Sequence, residues 1–144
     1  MRGLSTAQIS ERMRLVRSMH TKPELMVRGV ASQLGLRYRV HDAHLPGTPD
    51  IVFSGKRKVI FVHGCFWHQH TGCRLQSTPQ RNQHYWLPKF QRTKARDRRN
   101  KMALTRLGWE YLVVWECETR NPVAVSRRVN RFIASRQQST GSGK

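Results

Sequence analysis

Five potential metal ligands lie within the eleven residues from His63 to Cys73, and they are His63, Cys65, His68, His70 and Cys73. A third cysteine, Cys117, comes much later in the chain. Thiolates and imidazoles are the ligands that Zn²⁺ prefers, and three cysteines with one histidine complete a closed tetrahedral site. The sequence therefore predicts a structural zinc site whose fourth ligand is either His68 or His70. The alternative is a set of reduced cysteines and histidines that holds no metal.

A carboxylate, Asp50, indicates a second site of chemistry. The rigid turn 45–49 leads this acid to the start of an apolar run, Ile51–Phe53. A carboxylate beside a buried strand is costly unless it caps, pairs or binds a cation, and Mg²⁺ prefers oxygen ligands. The next apolar run, Val59–Val62, predicts an antiparallel neighbouring strand. We therefore expect His63, at the end of that strand, to lie beside Asp50.

Helix signals precede these strands. Thr21-Lys22-Pro23-Glu24 has the form of a capping box, which predicts a helix that ends at Gly35. Capping alone is a sufficient structural reason for Glu24. The apolar side of this helix is predicted to consist of Leu25, Val27, Val30, Ala31 and Leu34. An earlier basic helix within residues 1–20, which carries Arg12 and Arg14, either braces the core or lies along a duplex.

The remaining elements alternate strands and helices. The patterns predict a strand at Leu36–Val40, a loop at 41–44, a helix at Pro88–Leu107, a strand at Tyr111–Trp115 and a helix from Pro122. Expected core contacts of the two helices are Phe90, Leu104, Leu107, Val125, Val129 and Phe132. We expect one domain over residues 1–136, with its core at 21–120 and a frayed tail at 137–144.

The charge of the chain indicates its class of partner. There are 27 Lys and Arg residues against 8 Asp and Glu, which gives a net charge of +19. Such an excess favours a polyanion, because each phosphate contact releases counterions. An odd number of cysteines, with no signal-like N-terminus, argues against a disulfide framework. The sequence also has no long apolar run, which argues against a membrane protein. We therefore predict a soluble cytoplasmic, nucleoid-associated protein that binds nucleic acid; a basic ribosome-associated protein is the alternative.

Two kinds of side chain are candidates for contact with nucleic acid. Lys94 and Arg98 belong to a strongly basic stretch, although such a stretch is more often a solvated helix face. Phe66 and Trp67 lie among the metal ligands, where they either pack in the core or act as a wedge that unstacks bases. Trp86 fits either role.

Several motifs, in order, resemble those of the very short patch repair endonucleases. They are His20–Leu25, Leu45–Phe53, Val59–His68, Asp97–Asn100 and Val114–Cys117, and the similarity runs over about residues 10 to 120. The resemblance implies a restriction-endonuclease-like α/β fold of the PD-(D/E)XK superfamily, with a mixed central sheet flanked by helices. It also implies Mg²⁺-dependent nicking of one DNA strand, 5′ to the thymine of a T:G mismatch left by deamination of 5-methylcytosine.

The same resemblance implies roles for individual residues. Asp50 and the backbone carbonyl of Val62 would bind Mg²⁺, while His63 and Glu24 would hold metal-bound waters. His68, oriented by Asp97, would act on the scissile phosphate. The implied zinc ligands are Cys65, His70, Cys73 and Cys117, and the implied wedge is Phe66, Trp67 and Trp86.

This chain departs from the related motif patterns at two places. The wider superfamily usually carries an acid-x-lysine pair where this chain has Phe61 and His63, a replacement that the repair family shares. Two residues, 71 and 72, separate His70 from Cys73 where one is expected.

Two alternative functions stay open. They are a non-catalytic zinc-stabilised DNA-binding module and a nuclease that cuts matched duplex. We expect a monomer, with other mismatch-repair proteins as further partners.

Overall fold

The computed structural model describes residues 21–66, 68, 70, 73 and 80–135. Three helices and four strands form its framework: α1 (Lys22–Gln33), β1 (Arg39–Val40), β2 (Ile51–Phe53), β3 (Lys58–His63), α2 (Gln83–Arg106), β4 (Glu110–Trp115) and α3 (Pro122–Ala134). The expected N-terminal helix with Arg12 and Arg14, the side chain of Trp67 and the tail at 137–144 lie outside the described residues.

The four strands form one mixed sheet in the order β1-β2-β3-β4. The pairs β1/β2 and β2/β3 are antiparallel, which confirms the arrangement expected for Asp50 and His63, and β3/β4 is parallel. The strand predicted at Leu36–Val40 is wrong in length, since only Arg39 and Val40 belong to β1. Because Arg39 pairs with Val52 and β2 ends at Phe53, the residues before Arg39 soon run out of partners.

Apolar side chains of the strands alternate between two hydrophobic clusters, as the pleat requires. On one face of the sheet, Ile51 and Ile60 pack with Val27 of α1 and Val129 of α3. On the other face, Val52, Val59 and Phe61 pack with Leu104 of α2. The molecule is therefore a mixed sheet with helices on both faces, as expected from the sequence.

Local signals correctly set the ends of α1. The Thr21 hydroxyl accepts a hydrogen bond from the Glu24 amide at 3.4 Å, Pro23 lies in the first turn, and Gly35 takes a φ of +74°. The expected inward position of Leu25 is wrong, because its side chain is 48% exposed. Glu24 is buried instead, and its carboxylate contacts Arg28 and His41, so its role extends beyond capping.

The second helix begins five residues before its expected start at Pro88. Pro88 is the sixth residue of this helix, and since proline lacks an N–H group, one intrahelical hydrogen bond is lost. The added turn brings Trp86 against Phe66 and Phe90, with ring centroids 5.3 and 5.7 Å apart, and this packing offsets the loss. Leu104 and Phe90 are buried as predicted, whereas Leu107 is 54% exposed and is not a core contact.

The last strand and helix follow the sequence closely. β4 begins one residue earlier than predicted, and the Asn121 side chain caps α3 by accepting a hydrogen bond from the Ala124 amide at 3.2 Å. Val125 and Val129 are fully buried, and Phe132 is partly buried against the same cluster. The expected inward face of this helix is therefore confirmed.

A buried lysine ties α3 to the sheet. Lys58 opens β3, and its ammonium group donates hydrogen bonds to the Phe132 carbonyl and, at 2.8 Å, to the Ser135 hydroxyl. A cation at a helix C-terminus neutralises carbonyl groups that have no intrahelical donor. Burial lowers the pKa of Lys58, and the nearby Glu110 carboxylate opposes this decrease.

Candidate active site

The principal polar cavity lies where β2 begins and β3 ends. Its volume is about 500 Å³. Since β2 and β3 run antiparallel, the residue before β2 and the last residues of β3 meet at the same edge of the sheet. Residues that line this cavity include Asp50, Val62, His63, His68, Asp97, Asn100 and Lys101.

Asp50 is anchored to the adjacent strand. Its Oδ2 atom accepts a hydrogen bond of 2.7 Å from the Val62 amide. Burial raises the pKa of Asp50 to about 6; the Val62 hydrogen bond opposes this increase and the charge of Glu24 adds to it. The Asp50 carboxylate is therefore mostly ionised at neutral pH, and a bound cation would stabilise its charge. The expected ligand role of the Val62 carbonyl stays a prediction, although Val62 does line the cavity.

Glu24 and His41 lie next to Asp50. The His41 Nε2 atom is 2.7 Å from Glu24 Oε2 and 3.8 Å from Asp50 Oδ1. One donor atom from each of these three residues lies within 4.8 Å of the others. Two carboxylates and an imidazole at these distances fit a divalent cation. The resemblance implied Asp50 as its ligand and Glu24 as a residue that holds a metal-bound water.

Sequence reasoning placed His41 in a loop and assigned it no chemistry. The residue does follow β1 directly, with a φ of +50°. Its amide donates to the Asp50 carbonyl at 3.2 Å, so it continues the β1/β2 ladder by one pair. Only the register of these two short strands shows that the imidazole lies beside Asp50. No local motif would have identified it.

A second group consists of His63, His68 and Asp97. The His68 Nδ1 atom lies 2.5 Å from Asp97 Oδ2, and the His63 and His68 rings stack with centroids 3.7 Å apart. Burial and the neighbouring His68 lower the pKa of His63 to about 3, so His63 is neutral at pH 7. Burial raises the pKa of Asp97, but its hydrogen bond with His68 and the electrostatic effect of neighbouring basic groups together outweigh burial and leave that pKa below its usual value. Asp97 thus fixes one nitrogen of His68 and leaves the other for a substrate.

The predicted zinc ligands Cys65, His70, Cys73 and Cys117 converge, with donor atoms within 4.8 Å of one another. The His70 Nδ1 atom is 3.7 Å from the Cys65 sulfur and 3.5 Å from the Cys117 sulfur. Tetrahedral zinc with ordinary bond lengths would separate sulfur and nitrogen by about 3.6 Å. The donor set therefore fits Zn²⁺ in type and spacing. The structure brings His70 rather than His68 into this set, and the extra residue before Cys73 does not prevent convergence.

The thiols of this group lie in a setting that favours their protonated form without a cation. Burial raises the pKa of Cys65 to about 12 and also raises the pKa of Cys117. A bound metal supplies the positive charge that stabilises thiolates. The His70 ring stacks on Trp115 with centroids 4.0 Å apart, which orients the imidazole towards the sulfurs.

Comparison with known proteins identifies the family. The family model for DNA mismatch endonuclease Vsr matches residues 3–74. The chain is 46% identical over 121 residues to type II nicking enzyme V.XorIIP of Xanthomonas oryzae pv. oryzae, covering 84% of this chain and 88% of that protein. It is 43% identical over 111 residues to DNA mismatch endonuclease Vsr of Escherichia coli, covering 77% of this chain and 70% of that protein. The chain belongs to the Vsr family.

Membership of the Vsr family confirms the resemblance found in the sequence. The chain is therefore a DNA endonuclease, a hydrolase whose partner is DNA. Its mixed α/β architecture, with four strands and three helices in the described residues, fits a Vsr nuclease fold. None of the helices in that part of the chain is long and apolar enough to cross a membrane.

An aromatic patch lies beside the candidate active site of this Vsr-family chain. Phe66 meets Trp86 and Phe90 edge to face, each with ring centroids 5.3 Å apart. Phe90 is buried, whereas Phe66 and Trp86 are only partly buried. Phe66 and Trp86 thus share one patch, as the wedge prediction requires, and the wedge role itself stays a prediction.

Basic side chains cover the outer face of α2. Lys94 and Arg98 are exposed, as expected for residues that contact a polyanion. Part of the basic stretch noted in the sequence also lines a hollow on the same helix, whose lining includes Lys89, Arg92, Arg96 and Arg99. Arg96 and Lys101 also line the main cavity, so positive charge extends from the helix face to the candidate active site.

Proposed function

We propose that this protein is a Mg²⁺-dependent mismatch endonuclease that nicks one DNA strand 5′ to the thymine of a T:G mismatch. The observation that carries the proposal is the common cavity shared by Asp50 and the His68–Asp97 pair. A cation site and a proton-transfer group within one cavity are what hydrolysis of a phosphodiester requires. The mismatch specificity rests on similarity to the Escherichia coli protein named DNA mismatch endonuclease.

In this proposal Asp50, with the Val62 carbonyl, binds Mg²⁺, and Glu24 and His63 hold waters of the cation. A Mg²⁺ ion held by these residues would supply the Lewis acid that activates a water and neutralises charge on the phosphate. The 2.7 Å hydrogen bond from the Val62 amide fixes one oxygen of Asp50, which leaves the other for the cavity. Burial destabilises the ionised form of Asp50 and so raises its pKa. A cation bound at Asp50 would stabilise that ionised form.

His68 acts on the scissile phosphate as the proton-transfer group. Its short contact with Asp97 holds the imidazole ring in the orientation that proton transfer needs. The stacked, neutral His63 limits the motion of that ring from the other side. Asp97 is accordingly a positioning residue, since it acts through His68.

DNA recognition uses the surfaces around the cavity. Phe66, Trp67 and Trp86 form the wedge that opens the duplex beside the mismatch, where unstacking is cheapest. Lys94 and Arg98 contact phosphates, together with Arg12 and Arg14 of the N-terminal segment. A structural Zn²⁺ on Cys65, His70, Cys73 and Cys117 holds the segment that carries Phe66.

The test uses labelled duplexes with one T:G pair in several contexts, beside a matched T:A duplex. We expect a single nick next to the thymine, only in T:G duplexes and only when Mg²⁺ is added. Asp50→Ala should lower the nicking rate by about 100-fold or more while mismatch binding persists. His44→Gln is the control, because this exposed loop histidine lies outside the site.

Three results would contradict the proposal. Nicking at the wild-type rate by Asp50→Ala would show that the cation site is elsewhere. Binding without any cut would identify a non-catalytic module, and cleavage of both strands of the T:A duplex would identify a restriction-type nuclease.

A further inference from the structure

The third member of the Glu24–His41–Asp50 group, His41, has no role in the function proposed above. Its side chain is 12% exposed, and its Nε2 atom faces both carboxylates rather than one. One nitrogen that lies near both acids is positioned to share a cation with them.

The backbone holds His41 firmly in that position. Its amide bonds to the Asp50 carbonyl, so the two residues are cross-strand neighbours at the end of the β1/β2 ladder. The next residue, Asp42, is buried, pairs with Arg39 at 2.9 Å and accepts a hydrogen bond from the His44 amide. The bend after β1 is thereby braced on both sides. A fixed ligand costs little conformational entropy when a cation binds.

The charges of these three side chains also favour a bound cation. Glu24 already has a cationic partner, since the guanidinium of Arg28 contacts its Oε2 atom one helical turn later. Glu24 therefore does not depend on His41 for charge compensation. Asp50, by contrast, lies 3.8 Å from His41 and is largely buried. Placing a cation among these three side chains would neutralise the least compensated charge in the cavity.

We propose that His41 is a direct ligand of the divalent cation at Asp50, and that it shifts the preference of this site from Mg²⁺ towards Mn²⁺. Imidazole nitrogen binds first-row transition metals well, whereas Mg²⁺ favours oxygen. The His41 imidazole and the Asp50 carboxylate, with the Glu24 carboxylate within 4.8 Å to hold a bound water, supply the mixed donor set that Mn²⁺ accepts. The inference deepens the proposed function and rests on its cation at Asp50.

The test measures metal binding to the full chain without DNA. Pulsed electron paramagnetic resonance of the Mn²⁺-loaded protein should show coupling to a directly bound ¹⁴N nucleus. His41→Gln keeps hydrogen-bonding capacity but removes the imidazole, and it should abolish that coupling. By calorimetry, His41→Gln should weaken Mn²⁺ binding by about 10-fold or more and Mg²⁺ binding by much less.

Two variants serve as controls for this experiment. His44→Gln changes an exposed histidine three residues away and should leave both the coupling and the two affinities unchanged. His63→Gln removes a histidine of the second group and should also keep the coupling. His41→Asn, a second replacement of the same imidazole, keeps the test decisive if His41→Gln fails to fold.

Persistence of the ¹⁴N coupling in the His41 variants would overturn the inference, and so would its absence from the wild type. Equal losses of Mn²⁺ and Mg²⁺ affinity would also overturn it, because His41 would then only hold Glu24 in place. The nicking assay separates the two proposals. A protein that binds Mn²⁺ through His41 but does not nick T:G duplexes contradicts the proposed function alone.

Discussion

At the scale of single residues, this strongly basic protein buries two acids side by side, Glu24 and Asp50. Glu24 is only 4% exposed, and Asp50 is largely buried within 4 Å of His41. Burying carboxylates costs stability unless a partner compensates, and the raised pKa of Asp50 shows that compensation is incomplete without a cation. The Asp50 charge that would bind the cation therefore lowers the stability of the metal-free protein.

Asp50→Asn should stabilise the metal-free protein. Because the folded-state pKa of Asp50 is raised from 3.8 to about 6, the folded state binds more protons between these values, and stability falls as pH rises through them. At about pH 7.5 the full cost is present, so we expect a gain of roughly 1–3 kcal/mol in unfolding free energy. The asparagine oxygen can still accept from the Val62 amide. Thermal unfolding in buffer without divalent cations measures the gain.

The same measurement at about pH 5 is the internal control, because Asp50 is then mostly protonated in the folded protein. The gain should be smaller there. An equal gain at both pH values would show that the substitution acts by packing rather than by removing a buried charge.

At the scale of elements, the cysteine group joins segments that the sheet alone leaves apart. Cys65 follows β3, and Cys117 lies in the short 3₁₀ helix Glu116–Arg120 that follows β4. The Cys117 amide donates to the Cys65 sulfur at 3.4 Å, so the two strand ends already touch. His70 and Cys73 attach the long segment between β3 and α2 to the same point. That segment carries Phe66, so a metal here would position the aromatic patch.

Cys117→Ser should release the proposed zinc ion and lower thermal stability. Elemental analysis of the purified wild type should give about one zinc per chain, and the variant should hold much less. Since metal binding to such sites is coupled to folding, we expect a loss of several kcal/mol, on the order of half or more of a typical domain stability.

Cys117→Ala should behave as Cys117→Ser does, because neither side chain supplies a thiolate. Thr105→Ser changes an exposed residue of α2 and should leave both zinc content and thermal stability unchanged, so it is the control. Full zinc content in Cys117→Ser, or a wild type without zinc, would contradict the zinc assignment.

At the scale of the whole molecule, the chain carries a net charge of +19. The described face of α2 exposes Lys94 and Arg98 and adds the basic hollow around Arg92 and Arg96. Positive charge that runs into an active cavity guides a polyanion to it and speeds association. We therefore expect the DNA axis to follow α2.

Binding to duplex DNA should weaken steeply with salt, and the Lys94→Ala/Arg98→Ala double variant should show a shallower dependence. Each lost phosphate contact reduces the slope of log K against log salt by about 0.9. Arg127→Ala is the control, since this exposed arginine lies on α3, across the sheet from α2. An unchanged slope in the double variant, or an equal change in Arg127→Ala, would place the duplex elsewhere.

The sequence by itself determined the features that depend on near neighbours in the chain. Thr21, Pro23 and Gly35 set the bounds of α1, and the apolar runs at 51–53 and 59–62 indicated adjacent strands with Asp50 at their edge. The density of cysteine and histidine after β3 indicated one convergent group. Family motifs then separated the roles of His68 and His70. These signals are local, and short-range physics largely decides them.

Tertiary structure decided what depends on register and packing. His41 reaches Asp50 only because β1 and β2 pair in one register, and a shift of one residue would turn its side chain to the other face. Trp86 belongs to α2 despite Pro88 because Phe66 and Phe90 pack against it. Leu107 is exposed although its spacing suits a core position. Such outcomes follow from contacts between residues far apart in the chain, which no local pattern contains.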